Sequence, residues 1–355
     1  MDGALIPIGS SFAIGGYRIG WRLGEYENEP QSVPKRIILA NTINGMYERR
    51  RGNVSCNICW SEHGYDLVSL ENIFMLEELD KPDMKRYLKQ ENSVKGQYFG
   101  VLHRSRSSNS SEAPEWVVSI RGTKPSSIHD IWKDLHIPFQ GVHTNSTVKL
   151  LEIVVMKLLE MESNDSSKVT ITGHSLGAAM GMSVARKIAL RGHPIDCHFF
   201  NPPFVTLHSM SQRYLPKLVS STFRQGASYF VNKMVDCGRR LAREKEEYEQ
   251  LKENKWCPFL YLHKDDRISN KHIEEIRRRD TNRDRGVLDL DDYYTCGSAF
   301  LSLFRDVETF HLLPRAVYCT SQEDLGFFKS HKLSNWTSND LVIEVQCLEC
   351  LFDQD

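Results

Sequence analysis

Apolar positions along the chain fall into two rhythms. Short β-branched or aromatic runs alternate with longer stretches whose apolar residues recur every three or four positions. Residues 34–50, entered through Pro34, carry Ile37, Ile38, Ile43 and Met46 and predict a helix. Residues 97–102 and 115–120 read as strands. The serine-rich segment 105–114 between them reads as a surface loop. Residues 147–161 place Val148, Leu151, Val154, Met156, Leu158 and Leu159 on one helical face. A buried strand follows at 168–172. A helix comes next at 178–189, with Ala178, Met182, Ala185 and Ala189 on one side. Cys197-His198-Phe199-Phe200 reads as the next strand, closed by Asn201-Pro202-Pro203. Further strands are expected at 259–263, 315–319 and 341–345. The order helix, strand, turn, helix, strand implies parallel crossover units. The chain therefore reads as one α/β domain over 1–355, with a central, mostly parallel sheet flanked by helices.

Residues 207–256 break this rhythm. Residues 239–255 are dense in charge, with Leu241, Tyr248 and Leu251 as sparse apolar points. The stretch reads as an inserted helical segment and a candidate lid, whose apolar face would be Tyr214, Leu215, Leu218, Val219 and Phe223.

With 355 residues the chain is long enough for a large core, and its formal net charge is -1. That balance argues against a nucleic-acid partner. The basic runs Arg49-Arg50-Arg51 and Arg277-Arg278-Arg279 sit beside acidic stretches and read as solvated surface. No apolar run approaches membrane-spanning length. The first residues lack a basic region and a long apolar run, so no secretory signal is read and a cytoplasmic location is expected. The nine cysteines are scattered, and reduced thiols are the default expectation. Cys56/Cys59 and Cys347/Cys350 have the spacing of half zinc sites. They are read here as core thiols, and neither a metal nor a cofactor is expected.

Gly173-His174-Ser175-Leu176-Gly177 carries the chemistry. It fits G-x-S-x-G, set between a predicted strand and a predicted helix as a nucleophile elbow requires. Small residues let strand and helix approach closely, and the serine comes to lie at a helix N-terminus, where N–H groups favour negative charge. The Leu176 N–H is thus a candidate oxyanion donor. A serine hydroxyl needs a base, and the base needs an orienting carboxylate. Asp266, just after the strand 259–263, is the preferred acid, with adjacent Asp265 as the fallback. His331 lies in a loop between two late strands and is the preferred base. His311 reads as a structural histidine, and His174 as a residue that shapes the turn. Arg121-Gly122-Thr123 follows the strand 115–120, and Thr123 is the candidate second oxyanion donor.

Together these segments resemble the class-3 lipase family of α/β-hydrolases. More narrowly, they resemble a plant lipase-like subfamily often labelled GDSL esterase/lipase. The apolar strand ending in Arg121-Gly122-Thr123 is similar to the family's strand plus R-G-T/S, which implies an oxyanion role for Thr123. Asp130-Ile131-Trp132-Lys133-Asp134-Leu135 and Gly141-Val142-His143 match the family's D-x-x-x-D-L and G-x-H. Gly173 to Gly177 matches G-H-S-L-G, which implies that Ser175 is the nucleophile. Residues 200–205 resemble F-N-x-P-F-V, residues 260–266 resemble L-Y-V-N-P-S-D and imply Asp266 as acid, and residues 331–336 resemble H-x-I-x-x-W and imply His331 as base. The resemblance implies an α/β-hydrolase fold and a serine carboxyl-ester hydrolase acting on acyl lipids or related esters without a cofactor. Peripheral membrane contact goes with such a substrate. A lipase-like signalling or ligand-binding protein without turnover is the alternative it leaves open. The first 30 residues and residues 272–294 have no counterpart in the family pattern.

Overall fold

The computed structural model describes residues 13–14, 17–25, 32–51, 60–91, 98–105, 114–122, 146–203, 246–247, 249–266, 268–270 and 313–354. Ten strands among them form one sheet: β1 (Ala13–Ile14), β2 (Tyr17–Glu25), β3 (Tyr65–Val68), β4 (Phe99–Arg104), β5 (Trp116–Ile120), β6 (Val169–His174), β7 (Asp196–Phe200), β8 (Phe259–His263), β9 (Arg315–Ser321) and β10 (Ile343–Gln354). Their spatial order is β1-β2-β10-β9-β8-β7-β6-β5-β4-β3. The centre, β5 to β9, is parallel. Antiparallel strands close each flank, β3 and β4 on one side and β10, β2 and β1 on the other. The fold is therefore that of an α/β-hydrolase, with a parallel centre as expected and antiparallel margins.

Helices cover both faces, because strands buried on two sides need two apolar layers. Helices α4 (Ser146–Met161) and α5 (Leu176–Leu190) lie on one face. Their buried Val148, Leu151, Val154, Leu158, Met182, Ala185 and Ala189 meet Val118, Ile120, Ile171 and Phe199. Helix α1 (Ser32–Arg50) covers the other face. It places Leu39, Ile43 and Met46 against Val117, Phe200, Tyr261 and Val317. The 3-10 turn Leu333–Thr337 packs on the same side through Trp336. The short helices α2 (Leu76–Leu79) and α3 (Pro82–Glu91) join β3 to β4, and Met84 and Tyr87 of α3 enter the first core. The last short helix, α6 (Phe327–Ser330), precedes His331.

Most expected elements form close to their expected bounds. Strand β10 runs to Gln354 rather than stopping at 345, because its second half pairs with β2. Most of the segment 207–256 lies outside the described residues. Its end, which is described, is helical around 249–253, with Leu251 and Trp256 buried. No helix among the described residues is long and apolar enough to cross a membrane. Cys56 and Cys59 lie outside the described residues, and Cys347 is a half-buried cysteine in β10.

Candidate active site

Ser175 stands between β6 and α5 with φ 55° and ψ -125°, a backbone conformation that a side-chain-bearing residue rarely adopts. The turn is held from both ends. The Ser175 N–H donates to the Phe200 carbonyl of β7 at 3.0 Å, and the Ser175 carbonyl accepts from Ala178 N–H at 2.9 Å. Glycine is required on either side by close approach. A Cβ on Gly173 would lie 2.6 Å from the Gly177 carbonyl oxygen, and one on Gly177 would lie 2.5 Å from that of Ile120. These contacts set strand and helix close enough to present a serine at the C-terminal end of the parallel strands. Leu176 is the first residue of α5, so helix geometry leaves its N–H without a partner inside the helix.

His331 reaches this serine from the far side of the sheet order. Its Nε2 lies 3.0 Å from Ser175 Oγ, and its Nδ1 lies 2.8 Å from Asp266 Oδ2. A carboxylate only accepts, so Nδ1 carries the proton and Nε2 is left to accept from the serine hydroxyl. Asp266 is fully buried. Its Oδ2 also accepts from Asn201 Nδ2 at 2.6 Å and from Ser269 Oγ at 2.8 Å, and its Oδ1 accepts from Ile268 N–H at 3.0 Å. Burial pushes this carboxyl up, but His331 beside it and these donors outweigh burial and hold it at about 2. Asp266 is thus a carboxylate throughout the neutral range.

The structure brings Ser175, Asp266, His331 and Leu176 to one place. Thr123 lies outside the described residues, as do His311, residues 130–135 and residues 141–143. Asp265 points elsewhere. Its Oδ2 accepts from Leu325 and Gly326 N–H groups, both at 3.0 Å, and so anchors the loop that leads to α6 and His331. Among the described residues no cluster of three or more His, Cys, Asp or Glu side chains could hold a metal.

Two residues in the site were not singled out by sequence reasoning. Asn201 has φ 47°, a left-handed conformation that asparagine tolerates better than most residues. It donates to Asp266 and to the Ser330 carbonyl, and its Oδ1 accepts from Trp336 Nε1 at 2.6 Å. Its place directly after the strand beside the elbow was the available signal. Tyr47, near the end of α1, offered none, because it precedes Glu48-Arg49-Arg50-Arg51 and reads as surface. Its hydroxyl lies 2.8 Å from His174 Nδ1 and accepts from Gly122 N–H at 2.8 Å.

The lipase (class 3) family matches residues 117–233, a span that takes in Gly122, the elbow and all but the first residue of β5, and ends ahead of Asp266 and His331. A protein of Arabidopsis thaliana named as a GDSL esterase/lipase is 26% identical over 246 residues, which cover 66% of this chain and 69% of that protein. No solved structure gives a significant match. The sheet order, the strained serine and these two likenesses agree: the chain has an α/β-hydrolase fold and is similar to the class-3 lipases, a likeness that supports carboxylic ester hydrolase activity.

Proposed function

We propose that Ser175, His331 and Asp266 act as nucleophile, base and orienting acid, and that the chain hydrolyses acyl lipids or related acyl esters through an acyl-enzyme. The observation that carries this reading is the hydrogen-bonded line from Ser175 Oγ through His331 to Asp266, at 3.0 and 2.8 Å. In this scheme Ser175 Oγ attacks the ester carbonyl carbon while His331 Nε2 takes the hydroxyl proton. The carbonyl oxygen becomes an oxyanion beside the Leu176 N–H and, in the family pattern, Thr123. Collapse breaks the bond to the leaving alcohol, which receives the proton from His331. Water then adds to the acyl carbon, giving its proton to His331. The acid departs and the proton returns to Ser175. Asp266 remains ionised throughout, fixes the imidazole tautomer and stabilises the imidazolium.

A fluorophosphonate probe tests the proposal directly. Wild type should be labelled at Ser175 and Ser175→Ala should not. Ser175→Ala should also lose kcat on carboxyl esters by on the order of 10⁴ or more. Unchanged turnover in pure Ser175→Ala protein would remove the assignment. A wild-type Ser175 that the probe never labels would favour the non-catalytic alternative. An ester panel of increasing chain length would then separate acyl lipids from small esters.

A further inference from the structure

One hydrogen-bonded chain beside the triad has no part in the scheme above. His174 Nε2 lies 3.0 Å from the His331 carbonyl oxygen. That oxygen only accepts, so Nε2 carries the proton and His174 Nδ1 is left to accept from the Tyr47 hydroxyl at 2.8 Å. The Tyr47 oxygen in turn accepts from Gly122 N–H. The chain Gly122 N–H to Tyr47 O–H to His174 to His331 carbonyl leaves each member one consistent role. It joins four segments that are far apart in sequence: the residues directly after β5, the last helical turns of α1, the elbow, and the loop of the base. Burial drives the His174 imidazole down to about 3, helped by His331 beside it, and drives the Tyr47 phenol up to about 12. Both groups are therefore neutral at working pH, as this pattern of donors requires. Gly122 and its neighbour are held by further bonds as well. Arg121 Nη1 donates to the Gly122 carbonyl at 2.8 Å, and the Arg121 N–H donates to the Tyr98 carbonyl at 2.8 Å.

We infer that Tyr47 is a positioning residue for the reaction. Through Gly122 it holds the backbone directly before Thr123, the second oxyanion donor that the family pattern implies, and through His174 it holds the backbone of the base. The inference rests on the triad reading above. An interaction that only aligns the reacting groups is expressed in the transition state, so its loss lowers kcat more than it raises KM.

The test is Tyr47→Phe, which keeps the ring and deletes both hydrogen bonds, compared with His174→Asn and the double variant. Rates are taken per folded molecule, with thermal unfolding followed in parallel. Tyr47→Phe should lower kcat and the rate of fluorophosphonate labelling of Ser175 by roughly 10–100-fold, with KM within about twofold. The double variant should fall no further than the worse single variant, because the chain acts as one unit. Labelling at the wild-type rate in folded Tyr47→Phe, or losses that multiply in the double variant, would overturn the inference and leave the triad standing. Absence of labelling in wild type would instead take down the triad reading, and this inference with it.

Discussion

The two faces of the sheet are made by the same strands and differ in chemistry. On the face under α4 and α5, β5 presents Trp116, Val118 and Ile120, β7 presents Cys197 and Phe199, and β8 presents Leu260 and Leu262. Their helical partners are mostly Val, Leu, Ile, Met and Ala, although α4 and α5 also bury Thr147, Ser183 and Arg186. On the face under α1, apolar Val117, Phe200 and Tyr261 share space with buried Ser119, Thr172, His174 and His198. Arg36 from α1 donates to the carbonyls of Trp336 and Ser338. His198 Nδ1 lies 2.9 Å from the Tyr261 hydroxyl. Burial of apolar surface stabilises without regard to direction, whereas a hydrogen bond has an angle. The first face therefore supplies stability. The second supplies orientation: Tyr47 and Trp336 pack on it, and Trp336 donates to Asn201 beside Asp266.

If that division is right, stability and rate can be separated by choice of face. The largest effect on stability is expected on the dry side. Leu158 of α4 has no exposed surface and lies deep in the first core. Leu158→Ala should cost about 2–5 kcal/mol of unfolding free energy, from lost burial and the cavity left behind. Denaturant titration should show that loss while kcat per folded molecule stays at the wild-type value. A kcat that falls along with stability would break the comparison.

The same contrast governs what could be read from the sequence. The dry face was legible. Residues 147–161 and 178–189 carry the apolar spacing of buried helices, and they form α4 and α5 within two residues of the expected bounds. The strand at 259–263 forms without change of bounds. Motif order leads to the expectation that Ser175, Asp266 and His331 meet, and the His331 side chain lies within hydrogen-bond distance of the other two. What periodicity does not carry is non-local pairing and single hydrogen bonds. Strand β2 and the second half of β10 are strands because they pair with each other across more than 300 residues of chain. Helix α3 was missed because Met84, Tyr87 and Leu88 are its few apolar points among charges. Tyr47 sits in a charged helix end, and only the fold shows that its hydroxyl meets Gly122 and His174.

Acid should act on the oriented face at a milder pH than on the dry one, which holds few titratable groups. His174 is buried, and its folded-state pKa, at about 3, is depressed below the usual imidazole value. Below about pH 6.5 the unfolded chain takes up a proton there that the folded chain refuses, so stability is lost as pH falls. The His174 contribution amounts to roughly 2 kcal/mol between pH 7 and pH 5, and it grows until pH approaches 3. Asp266 has the same sign, with its window lower: its stabilisation is present above the usual carboxylate range and is lost as pH falls from about 4 towards 2. Denaturant titrations at pH 7 and pH 5 check the first window. His174→Asn should flatten the slope between those two values. An unchanged slope in that variant would assign the mild-acid limb to another group.

The smallest effect is the sharpest control, because it asks whether polarity on the α1 face matters as such or only where it reaches the site. Thr42 lies on α1 five residues before Tyr47 and is fully buried. Its Oγ1 donates to the Leu39 carbonyl at 2.7 Å and lies 3.2 Å from Ser119 Oγ of β5. These bonds seat the helix on the sheet and touch neither Gly122 nor His174. Thr42→Val keeps the branched shape, deletes the hydroxyl and leaves Ser119 with one neighbour fewer. It should cost about 1 kcal/mol of stability, the usual net worth of one buried hydrogen bond. Its kcat, KM and rate of fluorophosphonate labelling should stay at wild-type values. Tyr47→Phe also removes buried hydrogen bonds from α1 but is expected to slow labelling. If Thr42→Val slows labelling by the same factor, the seating of α1 as a whole governs the site and Tyr47 has no special place in it. If labelling is unchanged, the orientation carried by this face is confined to the hydrogen bonds that end at Gly122 and His331.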